Sequence, residues 1–203
     1  DDPELHGTVY CWGYNEQGQL GDCTVTNRGA PVRVTLPRRR AVQVAAGARH
    51  TCAVLEGGEL YCWGANFESQ LGDNLRPSPD CASTVSGIGS GACVPLPRQV
   101  RDLGPVSQVA ADENTTCALL SVGSVVCWGA NMAREFGRVA PSDGRHRTAV
   151  TGVDDAVQIV MGGDTVCALR GRDGAVLCWG GNTLCGLGRI TSTASETPTE
   201  VSG

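Results

Sequence analysis

Cysteine is the residue in this chain whose number and spacing admit chemistry. There are eleven in 203 residues. Six fall into three pairs, Cys52 with Cys62, Cys117 with Cys127 and Cys167 with Cys178, separated by ten, ten and eleven positions. Thiolates can ligate a metal, act as nucleophiles or close disulfides. A zinc site needs four converging ligands, usually with cysteine gaps of about two to four residues. Gaps of ten and only three histidines argue against it. Each pair instead brackets a glycine-containing turn: Glu56-Gly57-Gly58, Ser121-Val122-Gly123 and Gly171-Arg172-Asp173-Gly174. Residues equidistant from the turn of an antiparallel hairpin face each other at roughly 4.5–5.5 Å between Cα atoms, within reach of a disulfide. The spacing therefore predicts bonds 52–62, 117–127 and 167–178, and the extra residue in the third turn keeps its two cysteines opposed. Cys81 and Cys93 are expected to pair with each other inside a Gly/Ser/Pro-rich insertion. Cys11, Cys23 and Cys185 are left over as free thiols or bonds to another chain; an odd total requires at least one such residue. This cysteine usage points to an oxidising compartment, hence an extracellular or cell-surface location.

The elements that must position these residues recur. An apolar strand ending in Cys-Trp-Gly occurs at Tyr10–Gly13, Tyr61–Gly64, Val126–Gly129 and Leu177–Gly180, and it contains all four tryptophans. Trp12 to Trp63 spans 51 positions, Trp63 to Trp128 spans 65, and Trp128 to Trp179 spans 51. The longer middle interval carries the insertion, residues 74–96. One unit reads as a short strand after proline (Pro31–Val34, Pro97–Val100, Pro198–Val201), an apolar strand such as Ala41–Ala46, a Cys strand such as Thr51–Leu55, and the Cys-Trp-Gly strand. Short β-branched runs punctuated by glycine favour strands over helices. Four short antiparallel strands at this period describe a propeller blade. The expected fold is therefore all-β: a single repeat domain over residues 1–203, with units at about 1–35, 36–100, 101–150 and 151–203. Trp12, Trp63, Trp128 and Trp179 are expected to fill one recurring core position between blades.

Composition excludes several function classes. The net charge of −5 gives no bulk electrostatic reason for a nucleic-acid partner. All 16 basic residues are arginine, so no lysine Schiff base or phosphate-loop lysine is possible. No apolar run reaches the length of a membrane-spanning helix. No signal peptide is visible, and Asp1-Asp2-Pro3-Glu4 reads as a mature or trimmed end. No nucleophile motif or paired-acid signature stands out, so neither catalysis nor a cofactor is expected. His50 reads as a hydrogen-bonding turn residue, Asp22 and Asp73 as turn caps, and Arg38-Arg39-Arg40 as a solvated loop. Asn114-Thr115-Thr116 satisfies the N-glycan pattern, making Asn114 a possible glycosylation site.

The run Gln43-Val44-Ala45-Ala46-Gly47, His50-Thr51-Cys52-Ala53, Tyr61-Cys62-Trp63-Gly64-Ala65-Asn66 and Gln70-Leu71-Gly72 resembles the regulator of chromosome condensation repeat family over nearly the whole chain. The double-Cys form is similar to a secreted bacterial branch that includes propellers of the β-lactamase inhibitor protein II type. The resemblance implies seven-bladed, non-enzymatic protein-binding platforms. At this period seven blades would need about 350 residues, so an incomplete ring or open array is expected, either part of a longer protein or several chains building one structure. The function expected is a protein-binding scaffold, with specificity in residues 14–30, 74–96 and 131–146. The alternatives are a self-assembling surface fibre subunit and a secreted inhibitor of a hydrolase.

Overall fold

The computed structural model describes residues 7–37, 39–72, 93–132, 134–137, 147–182, 185–188 and 194–201. The fold is all-β. Strands β1 (Tyr10–Gly13) and β2 (Arg28–Arg33) form a two-stranded sheet. A four-stranded sheet follows, with β3 (Ala41–Ala46), β4 (His50–Leu55), β5 (Leu60–Ala65) and β6 (Cys93–Gln99) in sequential order. A second contains β7 (Val106–Asp112), β8 (Thr115–Leu120), β9 (Val125–Gly129) and β10 (Thr148–Ala149), and a third contains β11 (Ala156–Gly162), β12 (Thr165–Arg170), β13 (Val176–Gly180) and β14 (Ser195–Glu200). All neighbouring strands are antiparallel.

The proline strand, present in β2, β6 and β14, closes its sheet rather than opening the next unit, contrary to the order expected from the sequence. Proline lacks the N–H that an interior ladder requires, so β6 and β14 take the outer edge, where one side of the strand needs no partner. It follows that β14 completes the last sheet instead of beginning another. The strands of the two-stranded sheet pair as the last two strands of the β3–β6 and β11–β14 sheets do, with the same register shift at Gly13, Gly64 and Gly180. The first strands lie together, with β7 packing on β3 and β4, and β11 on β7 and β8.

The core is layered between sheets. Val9, Val34, Ala53 and Trp63 fill the first layer. Leu71, Val100, Val106, Val109 and Trp128 are among the residues filling the second. Phe136, Val150, Ile159, Val166 and Trp179 belong to the third. Each layer thus contains one indole. The hairpin cysteines pair in register, Cys52 with Cys62, Cys117 with Cys127 and Cys167 with Cys178, and the three disulfides join Cα atoms 4.1, 4.1 and 4.2 Å apart. Among the described residues no helix is long and apolar enough to cross a membrane.

Candidate functional site

The functional geometry is built from a loop that follows each Cys-Trp-Gly strand. Its frame is a buried or half-buried asparagine whose Oδ1 accepts a backbone N–H five residues on. The pairs are Asn15 with Leu20 (2.9 Å), Asn66 with Leu71 (3.1 Å), Asn131 with Phe136 (2.9 Å) and Asn182 with Leu187 (3.0 Å). Two successive turns follow the asparagine, closed by Gly18, Ser69, Arg134 and Cys185 N–H and then by Gly21, Gly72, Gly137 and Gly188 N–H. The intermediate turn residue is left-handed in every copy: φ is 75° at Gly18, 60° at Ser69, 70° at Arg134 and 58° at Cys185.

These loops are the sockets of the blade joints. Trp63 Nε1–H donates to the Gln19 carbonyl at 2.9 Å, Trp128 to Gln70 at 2.9 Å and Trp179 to Glu135 at 2.7 Å. Thr51 and Thr116 add a second donor to the first two carbonyls, at 2.9 and 2.8 Å. A buried indole N–H needs a partner, and the preceding loop supplies one. The joint is also bridged in the opposite direction. A one-residue bulge in β3 shifts the register between Ala41 and Gln43, and the Gln43 amide reaches β7. There it donates to the Val109 carbonyl at 3.0 Å and accepts the Val109 N–H at 2.7 Å. The same bulge in β7 aims Gln108 at the Ile159 N–H of β11 (2.7 Å). The recurring Gln signal in the sequence had no assigned role, yet it marks this bridge.

Three of the four tryptophans hold the expected core position; the fourth corrects the expectation. Trp63, Trp128 and Trp179 are at most 1% exposed, whereas Trp12 is 64% exposed. Each buried indole lies against the loop of the preceding blade; among the described residues no such loop faces Trp12. Tyr10 and Tyr14 beside it are also exposed, and the Tyr14 hydroxyl donates to Glu16 Oε2. Cys11 is free and half-buried, and burial pushes its thiol up to about 11. Cys185 is free and exposed. Cys23 is disulfide-bonded, so it is not the free or interchain thiol expected. Its backbone N–H donates to the Pro95 carbonyl at 3.0 Å, drawing the first loop onto β6. The expected 81–93 bond, Asp73 and Arg38 lie outside the described residues.

His50 closes the turn that opens at Gly47 and hydrogen-bonds as expected, and it is buried between blades. Its Nε2 lies 2.8 Å from Thr116 Oγ1, and the Thr116 hydroxyl donates to the Gln70 carbonyl, which can only accept. The imidazole must therefore donate through Nε2, leaving Nδ1 without a partner. Burial lowers the ring to about 4, against an opposing pull from the Glu113 carbonyl. Asp22 is the turn cap expected: it accepts from Thr24 and Asn15 and pairs with Arg28 Nε at 2.8 Å. Burial works to raise its carboxyl, but the bonds from Thr24, Arg28 and Asn15 outweigh it and hold it below the usual range. Asn114 is half-buried and its Oδ1 accepts from Gln70 Nε2 at 2.9 Å, so the amide expected as a glycan acceptor is engaged in the second joint. Among the described residues no group of three or more His, Cys, Asp or Glu is placed to hold a metal ion.

A row of sheets joined indole to loop defines a propeller-type repeat protein. Residues 6–54 and 57–119 match the regulator of chromosome condensation (RCC1) repeat, and a second description of that repeat matches residues 41–70 and 156–186. The chain belongs to this repeat family. It is 32% identical to the RCC1 domain-containing protein RUG3, mitochondrial, of Arabidopsis thaliana, over 96% of this chain and 43% of that protein. It is 27% identical to the ultraviolet-B receptor UVR8 of the same plant, over 95% of this chain and 44% of the receptor. Human WBSCR16 superposes with a TM-score of 0.77 at 23% identity, covering 97% of this chain and 49% of that one. Yeast RCC1 (Prp20), solved bound to Kap60, gives a TM-score of 0.74 at 23% identity, over 97% and 45% of the two chains. The chain thus spans less than half the length of these relatives.

Proposed function

We propose that this chain is a non-catalytic, protein-binding scaffold of propeller blades that works in an oxidising compartment, outside a bacterial cell or at its surface. The observation that carries the binding reading is the residue after each framing asparagine. In adjacent blades that position holds Phe67 and Met132, 57% and 89% exposed, each standing on a hydrogen-bonded loop. Exposed apolar side chains on a pre-ordered loop lose little entropy on binding. Met132 falls within the specificity segment 131–146, which stands in this proposal beside segments 14–30 and 74–96. The compartment reading is supported by three disulfides, two of them with both cysteines fully buried, since such bonds persist where thiols are not kept reduced.

The test places a photo-crosslinking residue at position 67, 132 or 122 in protein kept in its native medium. Val122 is exposed in the β8–β9 turn, at the opposite end of the strands from the loops. Partner adducts at 67 and 132 but not at 122 support the reading, and a hydrolase as the partner would select the inhibitor form of it. Equal adducts at all three positions, or adducts at 122 alone, refute the loop face as the binding surface.

A further inference from the structure

The second joint ties a titrating group to the loop that presents Phe67. That loop runs from Asn66 to Gly72, and the β7–β10 sheet holds it through Gln70. The Gln70 carbonyl accepts from Trp128 Nε1–H at 2.9 Å and from the Thr116 hydroxyl at 2.8 Å, and Gln70 Nε2 donates to Asn114 Oδ1 at 2.9 Å. Gln70 Oε1 accepts the Glu68 N–H at 3.0 Å, so the same side chain fixes the residue next to Phe67. His50 Nε2 donates to Thr116 Oγ1 from the other side, at 2.8 Å. Imidazole, threonine hydroxyl, Gln70 and Phe67 loop are therefore connected in series.

We propose that this joint is an acid-released clamp on the binding face: a proton taken up by His50 drives the ring out of the joint, Thr116 loses the donor behind its bond to Gln70, and the Phe67 loop loses the order that lets it bind. The inference rests on the loop-face reading of Phe67. The seated ring has no place for a second proton. Nε2–H is spent on Thr116 and Nδ1 has no partner. The Glu113 carbonyl beside it already takes the Ala48 N–H at 3.0 Å. His50 is 1% exposed, so a charged ring finds water only by leaving. Neighbouring charges offer no relief. Glu16, Arg49, Glu68 and Glu113 are exposed, Asp112 is half-buried, and the ring responds to burial and the Glu113 carbonyl alone. On β5, Tyr61 stands far from Gly64, the register partner of His50. The ring titrates at about 4 when seated and at 6.5 when free, so acid favours opening, and the opening constant rises about 30-fold from pH 7.5 to pH 5. An opened form present at about 5% at pH 7.5 is then the majority form at pH 5.

Amide hydrogen exchange on the full chain tests the clamp. It is read at the Leu71 N–H, which Asn66 Oδ1 holds at 3.1 Å within the Phe67 loop. After correction for the intrinsic pH dependence of exchange, the opening constant is expected to be about 0.05 at pH 7.5 and to rise about 30-fold by pH 5. His50→Gln offers Thr116 an amide donor and takes up no proton, so its opening constant should stay level over that range. His50→Thr is a second variant that cannot titrate and should also stay level. A wild-type opening constant below about 0.001 at pH 7.5 overturns the proposal, because a 30-fold rise would still leave the loop closed. So does a rise that persists in both variants. The partner is read separately, with the photo-crosslinking residue at position 67 in the native medium. Adducts should largely disappear at pH 5 with His50 in place and remain with His50→Gln. Adducts that remain at pH 5 while the Leu71 opening constant rises also overturn the proposal. No adducts at either pH would defeat the loop-face reading alone, and the Leu71 measurement would still decide the clamp.

Discussion

Acid should weaken this fold through one residue. His50 is buried with Nε2 committed to Thr116 and Nδ1 unpartnered, and burial lowers the ring from 6.5 to about 4. Between those values the unfolded chain binds a proton that the folded chain refuses. Stability from this group is therefore complete above about pH 6.5 and declines as the pH falls toward 4. A difference of about 2.5 units at 1.36 kcal/mol each corresponds to about 3 kcal/mol. The ring is almost fully buried, so solvent screening does not reduce the figure. The comparison protein is His50→Thr, because Thr115 and Thr165 hold this position in the next two blades, where they donate to the Ala130 and Gly181 carbonyls. Urea unfolding followed by tryptophan fluorescence, from about pH 7.5 down to about pH 4, reads both proteins. Asp22 and the other carboxylates contribute equally to each and cancel in the difference. The wild type is expected to lose about 3 kcal/mol more than His50→Thr over that range, most of it between about pH 6.5 and pH 4. Parallel pH curves for the two proteins would refute the reasoning, since they would mean that the ring takes up its proton as readily folded as unfolded.

The repeat also supplies internal controls. Gly13 and Gly129 share one position, with φ of 104° and 102°, but a Cβ at Gly129 would lie 2.2 Å from the Asn114 carbonyl oxygen and one at Gly13 meets nothing within 4 Å. Thermal unfolding should show Gly13→Ala costing about 1 kcal/mol for its left-handed backbone and Gly129→Ala at least about 2 kcal/mol more. Iodoacetamide followed by mass spectrometry should label exposed Cys185 quickly and Cys11 slowly, because burial pushes the Cys11 thiol up to about 11. Cys52, Cys62, Cys117, Cys127, Cys167 and Cys178 should stay unlabelled until reductant is added.

Local order was legible in the sequence because it depends on local spacing. The ten-residue gap around a glycine turn is enough to oppose Cys52 with Cys62, and β-branched runs of fixed period are enough to place β3 and β4. Proline order was misread because Pro31 and Pro97 precede an apolar strand in the chain. Their missing N–H nevertheless binds them to the outer edge of the sheet behind them. Trp12 was misread because repetition equalises positions that the fold does not: an indole is core only where a preceding loop covers it. Cys23 was misread because its loop is drawn onto β6 some 70 residues later in the chain, a contact no local spacing announces. The Gln43 bridge escaped notice for the same reason. Its partner, Val109, is 66 residues away, and only the bulge at the start of β3 turns the amide toward it.

The blade joints are polar in a sense that matters for how the array responds to stress. Indoles of the later blade reach back to the earlier loop, while Gln43 and Gln108 of the earlier blade reach forward to the later first strand. The second and third joints are thus held at two depths by bonds reaching in opposite directions, and loss of one leaves the other. The second joint differs from its neighbours. There His50, Thr116, the Gln70 carbonyl and Trp128 form one continuous chain of hydrogen bonds. Protonating the imidazole places a charge at the far end of the bonds that seat the indole, inside a layer that water does not reach. The Gln43 bridge to Val109 spans the same joint and contains no titrating group, so it persists in acid. Acid should therefore loosen the indole side of the second joint while its first strands stay bridged.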